Sequence, residues 1–212
     1  MRVAVIPTIG LPPTLPDLVG QLHEENVPVM LICNGGPECS RDLAHRYRTL
    51  VVESPFRIYE AWNFGMDWAD RRSCLILNDD VVLAPGAATL VCDELEKGDW
   101  AILGFDYGPS IVSTPQALET VGTFRHGGVG GFAFGVRPDR CARVDERFKW
   151  WGGDDDLIYA TVAKGGKVGK LYGAKVEHPQ PSFTANARPD LLPAGWEAND
   201  RALLTEKYGG AW

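Results

Sequence analysis

Apolar residues come in short runs along the first hundred positions, with amphipathic stretches between them. Residues 3–6 form one such run, closed by Pro7, the pattern of a strand buried on both faces. Leu15, Leu18, Val19 and Leu22 follow at helical spacing and predict a helix over 15–25. Residues 27–33 predict a second strand, broken by Asn34-Gly35-Gly36-Pro37. A short helix is expected over 40–48 and a third strand over 49–52. Ile58, Ala61, Trp62, Gly65, Met66 and Ala69 then mark one face of a helix. Residues 74–77 predict a fourth strand, and Pro85 opens a helix through Glu96 at the position where a missing N–H costs nothing.

This alternation predicts a parallel, doubly wound α/β sheet, in which ligands sit beyond the carboxyl ends of the strands. Those ends are Pro7-Thr8, Asn34-Gly35 and Asn78-Asp79-Asp80. The second half is patterned less sharply. Residues 104–131 are rich in Gly, Pro, Ser and Thr, with weak strand signals around Ile102 and Ile111-Val112. Residues 132–136 and 173–177 read as strands, 154–163 as a helix and 179–193 as a Pro-rich connection, before a last amphipathic helix over 197–208.

Composition narrows the classes. The chain has 212 residues, 45% apolar and 23% charged, enough for one large domain with a substantial core. A net charge of -7 argues against a broad nucleic-acid footprint, while leaving room for a local basic groove. The cysteines at 33, 39, 74, 92 and 141 show no CxxC pairing and read as free thiols of a reducing compartment. The apolar run after Arg2 is too short for a signal peptide, and no run approaches the ~18 residues of a membrane span. A soluble, cytoplasmic chain without membrane insertion is expected.

Two acidic clusters carry the candidate chemistry. Asp79 and Asp80 end the fourth strand, where carboxylates can hold a hard divalent cation or simply solvate a turn. His178, after the last predicted strand, is a candidate further metal ligand, and an imidazole beside carboxylates suits Mn²⁺ better than Mg²⁺. The second cluster is Trp150-Trp151-Gly152-Gly153-Asp154-Asp155-Asp156, running into an apolar helix. Successive helical residues project about 100° apart, so one acid is expected to cap the helix, one to face a cleft and one to face solvent. A cleft-facing carboxylate is a candidate general base, and the alternative is an acidic helix N-terminus without catalytic work. Trp150 and Trp151 offer flat apolar surfaces, and the glycine loop from His126 through Gly131 suits a lid or a close approach to an acceptor.

Taken together, these residues resemble the GT-A glycosyltransferases, nucleotide-sugar-dependent enzymes with a Rossmann-like domain. Val5-Ile6-Pro7-Thr8 resembles their first strand and nucleobase loop, Asn34-Gly35-Gly36 the loop after the second strand, and Ala61-Trp62-Asn63-Phe64-Gly65 the helix before the metal motif. Leu77-Asn78-Asp79-Asp80-Val81 sits where the family carries D-x-D, with Asn78 in place of the first Asp. Trp151-Gly152-Gly153-Asp154-Asp155-Asp156-Leu157 is similar to the W-G-G-E-D-D-D element of inverting β-1,4-galactosyltransferase-like and family 2-like members, one acid shorter.

The resemblance, over roughly residues 3 to 178, implies a single GT-A domain with a mostly parallel central sheet flanked by helices. Residues 1–100 would be the nucleotide-sugar half, 101–178 the acceptor and catalytic half, and 179–212 a Pro-rich connection and helix. It implies an inverting transferase that moves a sugar from a nucleoside-diphosphate donor, UDP-linked by preference, to an acceptor hydroxyl. Pro7, Thr8, Asn34, Asn63, Asn78 and Asp79 would serve the nucleotide, and Asp80 and His178 a Mn²⁺ or Mg²⁺ ion. Trp150, Trp151, Gly131, Gly153 and Asp156 would serve the acceptor or sugar, and Asp155, with Asp154 as rival, would be the base. Glycan, protein, small-molecule and modified nucleic-acid acceptors all stay open. A nucleotidyltransferase is disfavoured by the absence of Lys and Arg from 7–13, and a non-catalytic sugar- or nucleotide-binding module keeps the same scaffold.

Overall fold

The computed structural model describes residues 2–8, 12–47, 49–108, 114–119, 129–179 and 194–209. The expectations for Ile111-Val112, for His126 and for most of 179–193 fall outside these. Its elements in chain order are β1 (Arg2–Thr8), α1 (Leu15–Glu24), β2 (Val29–Cys33), α2 (Pro37–Tyr47), β3 (Leu50–Glu53), α3 (Ile58–Ala69), β4 (Ser73–Leu77), β5 (Val82–Leu83), α4 (Ala87–Lys97), β6 (Trp100–Asp106), β7 (Gln116–Glu119), β8 (Ala133–Val136), α5 (Gly153–Ala163), β9 (Lys167–Glu177) and α6 (Trp196–Tyr208).

One mixed sheet runs in the order β3-β2-β1-β4-β8-β6-β9-β5, with β7 also paired to β9. The first four positions are parallel, as the strand-helix alternation predicts. Beyond β4 the sheet changes character: β8 is inserted antiparallel between β4 and β6, and β6 and β9 are again parallel to each other. The short β5 and β7 both run antiparallel to β9. Six helices among the described residues flank the sheet.

Period-two alternation sends each strand's side chains to two separate apolar layers. Ala4, Ile6, Leu31, Leu75 and Leu103 face α1, α2 and α4, meeting Leu15, Leu22, Leu43, Val91 and Leu95. Val3, Val5, Met30, Ile76 and Ile102 face the other way and meet Tyr59, Trp62 and Met66 of α3, Leu157 of α5 and Leu204 of α6. The continuous apolar runs of β1, β2 and β4 follow from this burial on both faces. Pro85 falls in the turn before α4 rather than in its first turn; the helix begins at Ala87, where Glu25 accepts hydrogen bonds from the N–H groups of Gly86 and Thr89.

Candidate functional site

Two tight connections build one wall of a cleft at the carboxyl ends of β1 and β4. Asn78 leaves β4 with its N–H bonded to the Phe132 carbonyl at 2.8 Å, which turns the chain toward β8. Asp79 is fastened by Thr8, whose hydroxyl donates to Asp79 Oδ2 at 2.6 Å, and by Thr14, whose hydroxyl donates to its carbonyl at 3.0 Å. Burial pushes the Asp79 carboxyl up to about 7, against the lowering pull of the Thr8 hydroxyl. The next residues enter β5, which pairs Val82 with Glu177 and Leu83 with Val176. That pairing brings the turn after β4 beside the end of β9, and His178 Nε2 lies 2.9 Å from Asp80 Oδ1. The imidazole also stacks on Phe132, ring centres 4.6 Å apart.

The opposite wall is the start of α5. Gly152 holds the N-cap position with φ +75°, a left-handed backbone that a side chain would strain. Gly153 follows against Tyr59, so closely that a Cβ would fall 2.3 Å from the ring. Asp154 does not cap the helix; Asp154, Asp155 and Asp156 all lie within the first turn. Asp154 and Asp155 line the cleft, with Asp155 only 6% exposed. Asp156 turns inward instead of toward solvent and is fully buried. Its Oδ2 accepts the Asp145 N–H at 2.7 Å, and its Oδ1 meets the Tyr208 hydroxyl and the Lys207 ammonium, both at 2.5 Å.

The cleft between these walls has a volume of about 250 Å³. Of the residues singled out in the sequence, it brings together Pro7, Asn78, Asp79, Asp80, Gly131, Trp150, Trp151, Asp154, Asp155 and His178. Thr8, Asn34, Asn63, Gly153 and Asp156 are not among its lining residues. Thr8 acts on the cleft through Asp79. Asn34 donates to the Phe56 carbonyl at 3.0 Å. Asn63 donates to the Val144 carbonyl at 2.9 Å and accepts the Val144 N–H at 3.0 Å, pinning α3 to the segment before α5. Ile58, Tyr59, Trp62 and Gly152 complete the lining. Ile58 was visible in the sequence only as part of a helix face, Trp62 also within the stretch 61–65 of the family resemblance, and Tyr59 gave no signal of its own. Burial, with Asp154 nearby, raises the Tyr59 hydroxyl well above its ordinary value, so Tyr59 offers a neutral phenol at neutral pH.

Asp80 and His178 supply one oxygen and one nitrogen donor on a single wall, a donor set that suits Mn²⁺. No group of three or more His, Cys, Asp or Glu side chains suited to a metal occurs among the described residues. A cation held here therefore needs oxygens from a ligand or water. Among the described residues, no helix is long and apolar enough to cross a membrane.

No protein-family profile matches the chain, and no curated protein matches it. Solved structures do. The crystal structure of S. aureus TarS residues 1–349 superposes with a TM-score of 0.59 at 11% identity, covering 98% of this chain and 72% of that one. A longer S. aureus TarS structure gives a TM-score of 0.60 at 10% identity, covering all of this chain but only 44% of its own length. At such identities the likeness speaks for architecture alone: a mixed α/β, Rossmann-like fold shared with TarS.

Proposed function

We propose that this chain is a metal-dependent, inverting glycosyltransferase that moves a sugar from a nucleoside-diphosphate donor, UDP-linked by preference, to an acceptor hydroxyl. One observation carries the reading: a single cleft has the Asp80–His178 pair on one wall and Asp154, Asp155 and two tryptophans on the other. The fold shared with TarS, a glycosyltransferase, supports the same class.

Pro7, Asn78 and Asp79 border the donor's nucleotide end in this reading. Asp80 and His178 hold a divalent cation, Mn²⁺ in preference to Mg²⁺, which supplies positive charge where the diphosphate departs. Asp155 accepts the proton of the attacking hydroxyl, and Asp154 accepts a second hydrogen bond from the acceptor. Trp150 and Trp151 give the acceptor ring a flat apolar surface. With the departing diphosphate at the Asp80–His178 wall and the base on α5, attack from the face opposite the leaving group would invert the anomeric carbon.

The test is diphosphate release from UDP-, GDP- and TDP-sugars with Mn²⁺, Mg²⁺ or EDTA. Release that needs the metal and is lost in Asp80→Ala and Asp155→Asn is the expected result. Metal-independent release, or full turnover by Asp155→Asn, overturns the corresponding assignment. A chain that binds the donor without ever releasing diphosphate, with or without acceptors, is a binding module.

A further inference from the structure

The aromatic turn ahead of α5 has three consecutive backbone N–H groups that no helix or strand uses. All three are taken by one side chain. Asp200 of α6 accepts the Lys149 N–H on Oδ1 at 3.0 Å, and the Trp150 and Trp151 N–H groups on Oδ2, each at 2.9 Å. Asp200 is only 1% exposed. The same helix places the Arg201 guanidinium 4.4 Å over the Trp151 ring. Leu204 closes the contact from beneath, where a Cβ on Gly152 would fall 2.6 Å from its Cδ1.

A buried carboxylate is an expensive way to dock a helix. Desolvating a carboxylate is costly, and an apolar side chain of similar volume generally docks as well or better. What a carboxylate adds is geometry: two oxygens fix the direction of three successive N–H groups, through bonds strengthened by its charge. The turn so fixed leads directly into Gly153, Asp154 and Asp155. From this geometry we infer that Asp200 is a positioning residue of the transfer reaction, setting the place of Trp150, Trp151 and the acids of α5. The inference rests on the function proposed above and gives the C-terminal helix a part in it. A displacement of about 1 Å in such a wall is enough to cost on the order of 100-fold in rate.

The experiment compares Asp200→Ala, Asp200→Asn and Leu203→Ala, the last removing a half-buried apolar contact of the same helix. Two readouts are taken below the melting range of every variant: acceptor-free diphosphate release from the UDP-sugar, and amide hydrogen exchange at residues 149–151. Asp200→Ala is expected to lower kcat by about 10- to 100-fold while the donor KM stays within about 2-fold, because the donor wall is untouched. Exchange at 149–151 rises about 10-fold or more in the same variant. Asp200→Asn, which keeps one acceptor oxygen, falls between parent and Ala and decides the matter if Asp200→Ala does not fold. Leu203→Ala lowers Tm without the loss in kcat. A kcat loss in Leu203→Ala equal to that in Asp200→Ala, or unaltered exchange at 149–151, overturns the inference. If the parent releases no diphosphate from any donor, with or without acceptors, the transferase reading falls, and exchange alone decides whether Asp200 holds the turn.

Discussion

Replacing Gly153 with Ala tests the packing of the acidic helix against α3, because two effects of opposite sign meet at that position. Ala is the better helix former and restricts the unfolded chain, which together favour the variant by up to about 1 kcal/mol. Gly153 is in helical backbone, so Ala meets no strain there. Against this, the new methyl falls 2.3, 2.4 and 2.6 Å from three atoms of the Tyr59 ring, so the ring must retreat by about 1 Å to reach ordinary contact. Tyr59 has little room to do so. It is 3% exposed and packs edge-on against Trp62 and Phe148, with ring centres 5.0 and 6.5 Å away. Overpacking of this kind costs about 1–3 kcal/mol, which outweighs the helix gain. The net loss of about 1–2 kcal/mol lowers Tm by about 2–8 °C for a domain of this size. Calorimetry of Gly153→Ala, alone and in a Tyr59→Leu background, checks the reasoning. The substitution should cost stability in the parent and little or nothing once the ring is gone. A higher Tm for the single variant, or an equal cost in both backgrounds, refutes the clash.

Gly131→Ala sets a methyl 2.6 Å from Asp154 Oδ2, and a carboxylate tip moves more easily than a ring. Diphosphate release should fall while Tm drops by less than about 3 °C; a full-rate variant separates Asp154 from the chemistry. Phe132→Leu removes the ring stacked on His178, an interaction worth about 0.5–1.5 kcal/mol, so calorimetric Mn²⁺ affinity should weaken by about 2- to 10-fold. Unchanged affinity removes Phe132 from the support of the metal wall. Asp145 is held well below the usual carboxylate range, foremost by its hydrogen bond to Arg147 and further by Lys207. A carboxyl depressed on folding stabilises the fold fully above its unfolded value of about 3.9, and that part is lost as pH falls through the folded value. Urea unfolding between pH 5 and 2 should therefore show a steeper acid loss for the parent than for Asp145→Asn, and parallel curves contradict this.

In the parallel half, β1, β2 and β4 were legible because they are buried on both faces and read as plain apolar runs. The other half hides much of its strand structure for physical reasons, although β8 and the end of β9 were read from residues 132–136 and 173–177. β9 begins at Lys167 and carries Lys170 and Lys175, whose ammonium groups lie 3.5 and 2.8 Å from the buried Asp106 at the end of β6. Charges satisfied across two strands look like solvent-facing residues when the chain is read alone. β5, only two residues long, has no signature, yet its pairing with β9 sets His178 against Asp80. At the site, the spacing argument foresaw that three adjacent acids diverge. It did not foresee that Asp156 points inward, because Asp145, Lys207 and Tyr208 come to it from distant segments. Asn63 and Asn34 have amides suited to a nucleotide; the fold ties Asn63 to Val144 and Glu146 and the Asn34 Nδ2 to the Phe56 carbonyl, and leaves the buried Asn34 Oδ1 without a partner among the described residues. Asp200 gave no signal, since its partners are main-chain N–H groups that leave no mark on composition.

The Asp80–His178 contact joins residues 98 positions apart, and so fixes when the cleft can exist during synthesis. At about 5–20 residues per second, a ribosome needs about 5–20 s to travel from one to the other. Throughout that interval β1, β2 and β4 can already associate, while the turn that ends β4 has neither β5–β9 pairing nor imidazole beside it. The nascent chain therefore carries its acidic turn as an open, incomplete structure for far longer than strands or helices take to form. Completion waits for β9, the last strand to be made, so the site closes only after the rest of the sheet has been synthesised.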